Sequence, residues 1–64
     1  MSDWDSREVS RTARRLVSLH GHEAPNVAAS RAAQMERLGD AGRRTDWLRI
    51  MIRAQTLLLS KYGW

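Results

Sequence analysis

Two glycines cut this 64-residue chain into three lengths, each long enough for one helix. The dividers are His20-Gly21-His22 and Gly39-Asp40. Each follows a stretch whose apolar residues recur at helical spacing. Each glycine is placed as the residue just past a helix C-terminus, a left-handed position that costs Gly no Cβ clash. Nothing alternates every second residue, and β-branched residues are sparse, so strands are not expected. The pattern predicts an all-α chain with helices over about 4–20, 23–38 and 41–62, a small bundle with a long third helix, forming one domain over 1–64.

The three segments differ in what they present. In the first, Ser2 or Asp3 can cap the helix, and Asp3, Asp5 and Glu8 suit the positive end of its dipole. Val9, Ala13, Leu16, Val17 and His20 form one stripe, while Arg7, Arg11, Arg14, Arg15 and Ser18 fall opposite. In the second, Pro25 sits in the first turn, where its missing N–H is tolerated. Ala24, Val27, Ala28, Arg31, Met35 and Leu38 share a face, with Ala32 beside them. Small side chains there allow a close helix–helix approach.

The third segment follows Asp40, a good N-cap residue, and Gly63 is placed to stop it. Trp47, Leu48, Ile50, Met51, Ile52, Ala54, Leu57, Leu58, Leu59 and Tyr62 span roughly 220° of the helical wheel, against about 100° or somewhat more for an ordinary surface helix. Two neighbouring helices can cover its first half. At about 1.5 Å rise per residue this helix is near 33 Å long and the other two near 24 Å, so its end should outrun them. That end carries Leu57, Leu58, Leu59 and Tyr62, and Trp64 can fold back against it.

Size makes the excess apolar surface meaningful. A chain this short gains little from one core, and small proteins usually add disulfides, a metal or a second subunit. There is no cysteine, which excludes disulfides and thiolate metal sites. Good helix packing, self-association, or both are left. No apolar run reaches the ~20 residues of a membrane span. Positions 1–20 lack the apolar core of a signal peptide, so a cytoplasmic location is expected.

Chemistry is poorly supported. His20 and His22 are the only histidines, and no further His or Cys completes a four-ligand set with them and Glu23. There is no Gly-rich phosphate loop and no serine with a plausible His–acid pair. Three short helices rarely enclose a pocket of about 300 Å³ or more. The expectation is a protein that is not an enzyme and holds no metal or cofactor. Arg31, on an otherwise apolar face, is expected to pair with Asp40, Asp46 or Glu36. Trp47 reads as core, while Trp4 and Trp64 read equally as caps or as exposed anchors.

The pattern Ala13…Leu16…His20-Gly21…Ala24…Ala28…Arg31-Ala32…Leu38-Gly39-Asp40…Gly42…Trp47…Ile50…Leu57 resembles that of short, uncharacterised three-helix proteins of alphaproteobacteria, domains of unknown function. The resemblance implies a helical fold and a bacterial cytoplasm, and no activity.

The functional expectation is therefore a small interaction or regulatory module, a homodimer or the partner of another protein. Its surface is placed at Leu57, Leu58, Leu59, Tyr62 and Trp64. The alternative starts from a net charge of +4, carried by ten Arg and one Lys against seven acids. A basic balance attracts nucleic acid, and Arg7, Arg11, Arg14 and Arg15 could neutralise about four phosphates.

Overall fold

The computed structural model describes residues 4–62, and all of the regular structure among them is helical. The order is α1 (Ser6–His20), a single 3₁₀ turn (Gly21–Glu23), α2 (Ala24–Arg37) and α3 (Ala41–Tyr62). From Ser6 to Arg37 one helical segment follows another with no intervening loop, the backbone leaving helical geometry at Gly21. The architecture is one bent helix packed against a second, rather than three clearly separate helices.

The bend lies at Gly21. Its φ of 57° and ψ of −129° lie outside the range open to L-residues. Its N–H still donates to the Val17 carbonyl, so α1 ends without a lost bond. The sequence places a left-handed stop here followed by a fresh helix. The glycine instead redirects the chain, and helical bonding resumes at once through the 3₁₀ turn. Gly39 behaves as expected, with φ 76°. The Asp40 N–H donates to the Met35 carbonyl at 2.8 Å and the Gly39 N–H to the Glu36 carbonyl at 3.1 Å. This pair of bonds satisfies the last carbonyls of α2.

Side-chain caps fix where two helices begin. Asp40 Oδ1 accepts from the Arg43 N–H at 3.0 Å and starts α3 as predicted. The cap of α1 is Asp5, whose Oδ1 accepts from the Glu8 N–H at 2.9 Å. The expected caps Ser2 and Asp3 lie outside the described residues, and α1 starts at Ser6 rather than near Trp4. Asp5 stands three residues before Glu8, the spacing at which a carboxylate reaches an unbonded N–H of the first turn.

Both arms of the bent helix pack on α3, and they touch each other little. Val9, Ala13 and Val17 come from α1, Ala24 and Ala28 from α2, and Ile50 and Ala54 from α3. Four of those seven buried side chains are alanines. Among the described residues Ile50 is the only large side chain that is completely enclosed. The alanine face of α2 thus allows close approach to α3, as its composition predicts. Trp4, Leu16, Trp47, Met51, Leu57 and Leu58 close the margins of this core.

Candidate interaction surface

The sequence placed a partner surface at the C-terminal end of α3, and the structure divides those residues. Leu57 and Leu58 are half-buried and pack against the core. The core, to which Val17 of α1 and Ala24 of α2 contribute from either side of the Gly21 bend, therefore takes in α3 as far as Leu58. Leu59 is 64% exposed. The side chain of Tyr62 and all of Trp64 lie outside the described residues.

Open apolar surface lies at Leu19 of α1 and Leu38 just past α2, 67% and 75% exposed, and elsewhere along α3 itself. Ile52 is 57% exposed, and Leu48 one turn before it is half-buried without packing on the core. At 100° per residue, Leu48, Ile52 and Leu59 lie on one line, diametrically opposite Ile50. The wide apolar arc thus resolves into two stripes. One faces α1 and α2, and the other faces solvent along the back of α3. Ile52 and Leu48 were missed as partner residues because the arc merged the two stripes. The 3,4 spacing of Leu48, Ile52, Gln55 and Leu59 was the signal that could have separated them.

The polar contacts hold α3 to its neighbours away from this back face. Trp4 packs edge-on against Trp47, with ring centroids 5.7 Å apart and planes at 60°. Trp4 is therefore a cap and not an exposed anchor. Arg49 Nη1 donates to the Trp4 carbonyl at 3.0 Å and stands 3.6 Å from Asp46 Oδ1. Asp46 is buried, and its Oδ2 has no hydrogen-bond partner among the described residues.

The expected ion pair of Arg31 does not form. Its guanidinium lies 5.9 Å from the centre of the Trp47 ring, a cation–π contact. The three acids offered to it are taken by closer arginines. Arg44 reaches Glu36 at 2.8 Å across the α2–α3 turn, Arg43 reaches Asp40 at 3.6 Å, and Arg49 takes Asp46. Trp47 sits where α2 crosses α3, so its ring face offers Arg31 a place that the acids do not.

On α1, Arg7, Arg11, Arg14 and Arg15 are all exposed. Arg7, Arg11 and Arg14 line a shallow depression with Ser6 and Ser10, formed by α1 alone. A second depression, along Asn26, Val27, Ser30, Arg31 and Gln34, belongs to α2 alone. Neither is a cleft between elements. Among the described residues no three His, Cys, Asp or Glu side chains gather into a metal site. No helix among them is long and apolar enough to cross a membrane.

Among the described residues the fold and surface define a small all-helical protein with a solvent-facing apolar stripe on α3, further exposed leucines at 19 and 38, and a cationic face on α1. No family model, curated protein or solved structure matches the chain.

Proposed function

We propose that this chain is a small, non-catalytic interaction module that binds through the back of α3. The supporting observation is the exposure of Ile52 and Leu59 on one stripe of a helix whose opposite stripe is already packed. A thin alanine core gives the second reason. With a single large enclosed side chain, further apolar burial on a partner adds stability that the isolated fold lacks.

The test compares the wild-type chain with the double variant Ile52→Glu, Leu59→Glu in size-fractionated lysate of a producing cell. The wild type should travel in a particle heavier than its 7.4 kDa. The variant should travel at that mass while keeping its helical circular dichroism, since both side chains are outside the core. A wild type that is monomeric in lysate and also when concentrated and pure would refute the reading.

A second reading rests on the uniform exposure of the four arginines on α1. Together they offer phosphates a row of cations about two turns long. Binding to duplex DNA or RNA should then weaken steeply with salt, with a log–log slope near −3 to −4 for about four contacts. It should vanish in Arg11→Glu, Arg15→Glu. Absence of binding at low salt removes this reading and leaves the first untouched.

A further inference from the structure

We infer that the occupant of the α3 back face is a second copy of this chain, with the two α3 helices antiparallel and a two-fold axis passing beside Ile50. This rests on the interaction reading above and names its partner. The argument starts from six positions, Ala41, Thr45, Leu48, Ile52, Gln55 and Leu59, which follow a 4,3,4,3,4 spacing. That is the repeat by which one helix keeps a single seam against another. Ala41, Thr45, Ile52, Gln55 and Leu59 are exposed and Leu48 between them is half-buried, so the positions span about 27 Å of helix with five of the six open. The seam lies opposite Ile50, with the N-terminal turn of α1 as its nearest neighbour, since Ile52 shares a shallow depression with Ser6 and Val9.

The seam is complementary to itself when reversed. Pairing each residue with the one whose number makes the sum 100 sets Leu48 against Ile52 of the other copy, twice, at the centre. Thr45 then meets Gln55, and Ala41 meets Leu59. Apolar faces apolar, polar faces polar, and the largest side chain at one end faces the smallest at the other. The Thr45 hydroxyl already donates to the Ala41 carbonyl at 3.0 Å, so its oxygen is left to accept from a Gln55 amide. A parallel pair would instead stack Gln55 on Gln55 and Leu59 on Leu59.

Charge separates the two orientations further. Parallel helices set Arg44 of each copy against Arg49 of the other, two like-charge contacts beside the seam. Antiparallel helices bring only Arg49 near its counterpart. That guanidinium is drawn back toward α1 by the Trp4 carbonyl and Asp46.

The test uses the natural absence of cysteine. Ala41→Cys and Leu59→Cys are made separately in the full chain, oxidised alone and as a mixture, while sedimentation follows mass between about 10 and 500 µM. The expected result is a concentration-dependent dimer and a disulfide only in the mixture, joining one variant to the other. Cross-linking of each variant to itself means parallel helices and overturns the orientation. A dimer with no cross-link in any sample means another face pairs and overturns the inference. A pure chain that stays monomeric overturns the second copy as well, yet a heavy particle in lysate would still uphold the interaction reading.

Discussion

Ile50→Ala should leave the chain largely unfolded at room temperature. Ile50 is fully buried and is the one large enclosed side chain of the core. Around it stand Val9, Ala13, Val17, Ala24, Ala28 and Ala54. Most of these are too small to collapse into the space that an isoleucine leaves. Such truncations cost about 2–5 kcal/mol, with the upper end where the site relaxes least. A core of this size supplies about 3–5 kcal/mol of net stability at most. The loss therefore approaches the whole stability of the fold. Circular dichroism at 222 nm during a urea titration reads it directly. A variant whose midpoint falls only slightly would mean that Ile50 is not the keystone its burial implies.

Ala28→Leu should destabilise by the opposite route. Ala28 has no exposed surface and lies where α2 meets Ile50 and Ala54. Leucine adds three heavy atoms at a contact whose closeness depends on there being none. Overpacking of this kind typically costs about 1–3 kcal/mol and occasionally more. Moving α2 outward to make room would strain the Arg44–Glu36 and Arg31–Trp47 contacts that bridge it to α3. Thermal melting checks this, with Ala33→Leu as control. Ala33 is exposed on the same helix, so its substitution should change the midpoint little. Equal effects at both sites would show that helix propensity, and not packing, sets the response.

The contrast between these alanines shows what kind of information each level holds. Alanine at 24, 28 and 32 announces a close helix contact through its spacing alone. Asp40 announces a helix start, and Gly39 a helix stop, because caps and left-handed residues act over four or five neighbouring positions. Gly21 announces only a special conformation. Whether the chain there turns back into a separate helix or bends and continues depends on ψ as well as φ, and packing decides ψ. Arg31 was misplaced for a related reason. Its acids were read from nearness in sequence, while the choice among Glu36, Trp47 and solvent is made where α2 crosses α3.

The candidate surface divides in the same way. A helical wheel shows that α3 is apolar over more than one side, because periodicity is a local property of the chain. The wheel cannot show which side the other helices take. The reading that put the whole of Leu57–Leu59 outside assumed that α3 outran its neighbours. Val17 and Ala24, on either side of the Gly21 bend, belong to the core against which Leu57 and Leu58 pack, so those leucines close it. Sequence alone therefore determined the helical class, the turn glycines, the Asp40 cap and the excess of apolar surface on the last helix. Tertiary structure decided that the excess faces outward along Leu48, Ile52 and Leu59, because burial depends on which helices lie across the stripe, and residues distant in sequence place those helices.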